Sequence, residues 1–217
     1  MDETFATNLR ESVLNFDKQN VKRLVQESLD KGVPPLETAD VLTNAIRAIG
    51  DCLSRGEMFL PELMLGAKTV SVGMELLENE ISKIGQKRKT EGTVVIGTVF
   101  GDLHDIGKNM VKTLLVANGF EVIDLGVNVS HARFVEAANK TKPGILAMSA
   151  LLTTTVSEMR NVIRSLEQAG LRQRLKIMVG GAAVTKEFAE DIGADGYEPT
   201  AMLAVNLAKG LMPAQTA

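Results

Sequence analysis

The hydrophobic period of this chain changes once, and that change dictates a two-part fold. From Thr4 to about Ile84 apolar residues recur every three or four positions with no alternating stretch, the pattern of helices with one buried face. From Thr93 onward, short apolar runs at 93–100, 120–124, 144–149 and 175–179 alternate with amphipathic segments near 107–118, 130–141, 156–169 and 184–192. Continuous apolar strands separated by helices of that length predict a parallel sheet covered on both faces. Between the two patterns, Gly85-Gln-Lys-Arg-Lys-Thr-Glu-Gly92 is charged and bracketed by glycines. The domain boundary is therefore expected there, with 1–89 a helical domain and 90–217 an α/β domain.

Four segments separate in the first part: 4–16, 18–31 stopped by Gly32 and Pro34-Pro35, 36–55 stopped by Gly56, and 60–84 with Pro61 in its first turn. Short connections between them predict an antiparallel four-helix bundle. In the second part a fifth strand is expected near 195–197 and a last helix near 200–209. The fold class is α/β: an N-terminal four-helix bundle followed by a doubly wound, flavodoxin- or Rossmann-like domain with a five-stranded parallel sheet.

Charge narrows the partners. The 24 basic and 27 acidic residues leave a net charge of −3, which lacks the electrostatic footprint of a nucleic-acid binder, and Lys87-Arg-Lys89 is read as part of a solvated linker. A single cysteine, Cys52, forbids an internal disulfide, and no apolar run approaches the roughly 18 residues that span a bilayer. Met1-Asp-Glu-Thr lacks the features of a signal peptide, so the cytoplasm is the expected compartment.

The expected strand ends carry glycines and small polar residues: Gly101, Gly126, Ser149 with Thr153-Thr-Thr155, and Gly180-Gly181. Ligands of open α/β sheets bind at that edge. Its most informative stretch is Gly101-Asp-Leu-His-Asp-Ile-Gly107, between the first strand and its helix. Gly101 and Gly107-Lys108 imitate a phosphate-binding loop, but the spacing is one residue off, Asn109 stands where a hydroxyl belongs, and Asp102 and Asp105 oppose an anion. No G-x-G-x-x-G opens a helix, and with two histidines and one cysteine a zinc site would fall to carboxylates alone. Asp124 imitates part of a phosphoacceptor cluster, but Leu-Gly follows it instead of further acids. His104 has a carboxylate two residues before it; such a pair fixes the imidazole tautomer and leaves the other nitrogen as a base or metal ligand. His131 beside Ser130 at a helix start reads as structural, and Cys52 as a core residue.

Asp102-Leu-His-Asp-Ile-Gly107 is also D-x-H-x-x-G, and here the chain resembles the cobalamin-binding family of cobalamin-dependent methionine synthase and the small corrinoid proteins of methanogens and acetogens. Met148-Ser-Ala-Leu-Leu-Thr-Thr-Thr155 resembles the family's S-x-L stretch, and Val179-Gly-Gly-Ala-Ala183 its G-G segment. Gly193-Ala-Asp-Gly-Tyr197 matches near the end, and Gly56-Glu-Met-Phe-Leu-Pro-Glu62 is similar to the helical cap's signature. The resemblance covers nearly the whole chain in the expected order.

It implies a cobalamin or related corrinoid between helical cap and α/β domain, base-off, with His104 as the lower axial ligand of cobalt and Asp102 bonded to its other nitrogen. Thr155 takes the place of a serine that completes this relay, with a methyl added. Gly97, Ser149, Gly180 and Gly181 are implied along the slot for the nucleotide tail, Thr153 as a further cofactor-binding residue, Gly107 where the helix starts close to the corrin, and Met58, Phe59 and Leu63 as an apolar lid. The implied function is that of a carrier subunit, not a complete enzyme. It would move a methyl group on cobalt from a substrate-specific corrinoid methyltransferase to a second methyltransferase serving coenzyme M or tetrahydrofolate, with a reductive activase as a further partner and the linker at 85–92 as a hinge. A cobalamin-sensing module is the alternative. The methyl donor is not legible in the sequence.

Overall fold

Among the described residues of the computed structural model, 2–85 and 90–212 apart from the side chains of Ser54 and Ser82, four helices open the chain. They are α1 (Glu3–Leu14), α2 (Lys18–Asp30), α3 (Pro35–Ser54) and α4 (Leu60–Lys83). The charged stretch from Gln86 to Lys89, where the boundary, the hinge and the basic cluster are expected, lies outside the described residues.

Local chemistry sets each stop. Asp2 and Asp17 cap α1 and α2 by accepting from the N–H groups of Thr4 and Asn20. Past α2, Gly32 takes a φ of +70°, its N–H bonds Leu29 O, and that of Val33 bonds Ser28 O, the paired bonds of a Schellman motif. Gly56 and Glu57 repeat the arrangement after α3. The first helix ends earlier than its periodicity predicts, because Phe16 adopts a left-handed φ of +57° and closes the same motif without a glycine. At α4 the Glu62 carboxylate reaches back to the N–H of Phe59 at 2.7 Å, half of a capping box.

Within this unit α4 packs on α2 and α3, and α1 on α3. Gly66 and Gly73 make the α3–α4 contact close: a Cβ on either would fall 2.6 Å from Ile49 Cδ1 or 2.7 Å from Leu42 Cδ1. Leu63, Val70, Met74, Leu77 and Ile81 form the buried stripe of α4.

The remaining chain, apart from residues 117–119, belongs to a second compact unit. Its strands are β1 (Thr93–Thr98), β2 (Glu121–Asp124), β3 (Ile145–Ser149), β4 (Lys176–Gly180) and β5 (Gly196–Tyr197). Its helices are α5 (Ile106–Ala117), α6 (His131–Thr141), α7 (Glu158–Gln168), α8 (Lys186–Asp191) and α9 (Ala201–Leu211). All pairings are parallel in the order β2-β1-β3-β4-β5, so the fold is the doubly wound sheet expected. The order reverses between β1 and β3, the position where open α/β sheets take ligands beyond the carboxyl ends of their strands. Thr98 and Ser149 stand side by side at that edge, and Ser149 pairs in turn with Gly180. Among the described residues no helix is long and apolar enough to cross a membrane.

Gly97 lies where α6 packs on the sheet. A Cβ on it would lie 2.9 Å from the Phe134 ring and 3.3 Å from Val129, so its missing side chain makes room for α6 packing.

Candidate functional site

After β1 the chain runs from Val99 to Asp105 across the edge of the sheet before α5 begins. Two bonds fix the backbone of His104: Thr98 Oγ1 donates to its carbonyl at 3.0 Å, and its N–H donates to Asp102 Oδ1, also at 3.0 Å. The same Oδ1 lies 2.7 Å from His104 Nδ1. An ionised carboxylate can only accept, so Nδ1 carries the proton and Nε2 keeps its lone pair. Asp102 is 0% exposed and the His104 side chain 51%, so a buried anion aims a half-exposed base outward. Among the described residues none is bonded to Nε2.

The second oxygen of Asp102 faces the loop after β3. Oδ2 accepts from Leu151 N–H at 2.7 Å, Leu152 N–H at 3.3 Å and Thr155 Oγ1 at 2.8 Å. Burial alone pushes the Asp102 carboxyl up, but hydrogen bonds from His104, Leu151 and Thr155 outweigh it and hold the group well below the usual carboxylate range. Thr155 Oγ1 also lies 3.0 Å from Leu152 O, and the charged oxygen is the stronger acceptor for its single proton. The threonine methyl sits at ordinary contact distance, 3.5 Å, from where a Cβ on Gly101 would be. It therefore packs against the glycine and leaves the hydroxyl on Asp102.

The loop after β2 meets the other flank. Asn128 Oδ1 accepts from Gly101 N–H at 2.8 Å, and Asn128 N–H donates to Asp102 O at 2.9 Å. At the base of this loop, Lys108 Nζ bonds both Asp124 oxygens, at 2.8 and 2.9 Å, with Lys112 Nζ at 3.1 Å. Burial raises the Asp124 carboxyl, but Lys108, Gly126 N–H and Lys112 lower it overall. The Lys108 side chain is 2% exposed and spends its third donor on Asn109 Oδ1, so it is not available to a phosphate. Sequence reasoning missed Asn128 and the Lys108–Asp124 pair; only the near-miss Gly107-Lys108 drew attention to that lysine.

Of the other expected site residues, Ser149 and Gly180 sit at adjacent strand ends, Thr153 is exposed in the β3 loop, and Gly107 lies in the first turn of α5 with open space around it. Gly181 has a φ of +118°, and a Cβ there would be 2.0 Å from Ala150 O, so the chain's own backbone already requires a glycine. In the helical unit Phe59 is 73% exposed and Met58 partly so, whereas Leu63 is fully buried on the core stripe and presents no surface for a lid. His131 Nδ1 bonds Ser165 Oγ at 3.1 Å, a structural role. Cys52 is not core: it is partly exposed and accepts from Arg55 at 3.3 Å.

The donor set says what a ligand here must be. Among the described residues no group of three or more His, Cys, Asp or Glu could hold a bare metal ion. A metal bound at Nε2 must bring its other ligands with it, as the metal of a macrocycle does. Phe100, Leu103, Leu151 and Leu152 in the loops that carry the site, and Ile106 at the start of α5, are all exposed and suit the flat apolar part of such a ligand.

Residues 92–206 match a family profile described as B12 binding domain, and residues 6–78 match a second profile of the same description. Trimethylamine corrinoid protein 2 of Methanosarcina acetivorans is 40% identical over 208 residues, 95% of this chain and 96% of its own. Dimethylamine corrinoid protein 3 of the same organism is 40% identical over 203 residues, 93% and 94% of the two chains. A chain in the structure of the methanol:cobalamin methyltransferase complex of Methanosarcina barkeri superposes with a TM-score of 0.87 at 29% identity, covering 100% of this chain and 82% of that one.

Proposed function

Because this chain belongs to the corrinoid protein family built on B12-binding domains, we propose that it holds a corrinoid through His104 and carries a methyl group between methyltransferases. The observation that supports this most directly is the Asp102–His104 pair: one nitrogen bonded to a buried carboxylate, the other offered at the switch point of the sheet. When bound, the corrinoid supplies a cobalt centre that accepts and releases a methyl group.

The residues have separate tasks in this reading. His104 would hold the cobalt through Nε2; Asp102 sets its tautomer and strengthens it as a donor; Thr155 and Leu151 keep Asp102 ionised and in place. Ser149, Thr153, Gly180 and Gly181 border the space for the nucleotide tail, and Gly107 keeps the start of α5 free of a side chain. The domain boundary is at 89/90.

One partner is a substrate-specific corrinoid methyltransferase, a reading supported by the likeness to a chain of the methanol:cobalamin methyltransferase complex. The names of the methylamine relatives make a methylated amine the first donor to test. A second methyltransferase delivering to coenzyme M or tetrahydrofolate, and a reductive activase, complete the cycle.

The test is loading of the purified chain, labelled with ¹⁵N-histidine, with hydroxocobalamin. After reduction to cobalt(II), the electron paramagnetic resonance spectrum should show coupling to one histidine nitrogen, lost in His104→Ala. Failure to bind, or coupling retained in His104→Ala, sinks the ligand assignment. Methyl transfer with methyltransferases for trimethylamine, dimethylamine and methanol then identifies the donor, and failure with all of them favours the sensing module.

A further inference from the structure

We propose that Asn128 is a positioning residue for the His104 loop, bracing it from the β2 side as Thr155 does from the β3 side. The inference rests on His104 being the metal ligand and extends that reading to residues that never touch the imidazole.

Asp102 is tied in two directions by different loops. Its carboxylate is bound by Leu151 and Thr155, while its main chain is bound by Asn128 at the carbonyl and, one residue earlier, at Gly101 N–H. Side-chain bonds alone fix the carboxylate but leave the backbone free to pivot around it. A pivot displaces His104, because the N–H and ring of that residue both hang on Oδ1. Asn128 removes that freedom by gripping the chain at two points, N–H to carbonyl and carboxamide to N–H.

This grip needs an unusual backbone. Asn128 has a φ of +53°, a conformation costly for most side chains and tolerated best by glycine and asparagine. The turn that delivers it is fixed at its base: Asp124 Oδ1 accepts from Gly126 N–H at 2.9 Å, and Lys108 holds both Asp124 oxygens. Burying a lysine costs desolvation, and this one recovers it by anchoring the turn. Through Asn109, which takes the third Lys108 bond and donates to Asp105 Oδ2 at 2.8 Å, the same pair also secures the residue after His104.

Three substitutions in the full-length chain separate the possibilities. Asn128→Asp keeps an acceptor oxygen, Asn128→Gly keeps the backbone conformation without an acceptor, and Asn128→Ala loses both. In the apo protein, nuclear magnetic resonance reads Gly101 amide exchange and the His104 ring-nitrogen shifts. In protein loaded with hydroxocobalamin and reduced to cobalt(II), paramagnetic resonance reads the fraction with histidine coupling. Removing one neutral hydrogen bond should speed Gly101 exchange about fivefold in the alanine and glycine variants, move the ring-nitrogen shifts and lower the coupled fraction, with the aspartate variant within about twofold of wild type. The proposal is overturned if the glycine variant matches wild type, or if Gly101 exchange rises while the His104 ring signals stay put. A wild-type chain that binds no hydroxocobalamin strikes at the cobalt reading instead, and the apo measurements still decide for or against Asn128.

Discussion

A single oxygen of Asp102 holds His104 twice: Oδ1 accepts the backbone N–H at 3.0 Å and lies 2.7 Å from Nδ1. Ring and main chain are thus locked to one buried atom, and rotating the imidazole breaks a bond that moving the loop would also break.

Asp102→Asn keeps the shape and removes the charge. The amide can present its nitrogen to Nδ1 and reverse the tautomer, so Nε2 no longer offers a lone pair in every molecule. The variant should fold, show a mixed tautomer by ¹⁵N shifts, and bind hydroxocobalamin about 10–100-fold more weakly, as measured by titration.

At Thr155 the hydroxyl and the methyl are separable. Thr155→Val leaves Oδ2 without one of its donors and should cost about 1–2 kcal/mol in urea unfolding. Thr155→Ser keeps the bond, loses only the packing on Gly101, and should stay within about 1 kcal/mol of wild type. Equal losses in the two variants would mean that packing, not the hydrogen bond, dominates.

The Lys108–Asp124 pair makes stability depend on pH with a definite sign. The folded-state Asp124 carboxyl titrates below the 3.8 of an ordinary aspartate, so its contribution is complete above that value and disappears as pH falls through the lower folded one. Relative to Asp124→Asn, wild type should lose its advantage in thermal melts as pH falls below the ordinary aspartate range, with no change from pH 6 to 8. Lys108→Met should cost less than the roughly 3–5 kcal/mol typical of an orphaned buried charge, because Lys112 and Gly126 N–H remain on Asp124.

Gly180, the last residue of β4, and Gly181 just after it predict opposite behaviour. Gly181→Ala drives a methyl into Ala150 O at a φ of +118° and should cost more than about 2 kcal/mol by denaturant titration. A Cβ on Gly180 meets nothing nearer than Glu198 O at 3.7 Å, so Gly180→Ala should fold normally. Weakened hydroxocobalamin binding in Gly180→Ala alone would mark that position as facing the ligand.

The elements of the fold were legible because hydrophobic period is a local property: the strands and helices fall within a few residues of where it puts them. The stop at Phe16 was not, since a left-handed phenylalanine is held by its surroundings and has no signature of its own. In the site, the Asp102–His104 pair was readable because two residues of spacing suffice to form it. Asn128 is 27 residues from the Gly101 N–H that it binds, and only the order β2-β1-β3 brings them together. Gly97 and Gly181 show the same limit: a glycine signals that something comes close, and in this chain Phe134 and Ala150 do.

The bond from Leu151 N–H to Asp102 spans 49 residues, and that of Thr155 spans 53. As the chain leaves the ribosome, the His104 loop is therefore complete long before its buried carboxylate can be. At synthesis rates of roughly 5–20 residues per second, several seconds separate the two. A nascent chain ending before β3 carries the ligand motif and Asn128 but none of the donors to Asp102 Oδ2. These donors arrive together in one late step, when the third strand docks.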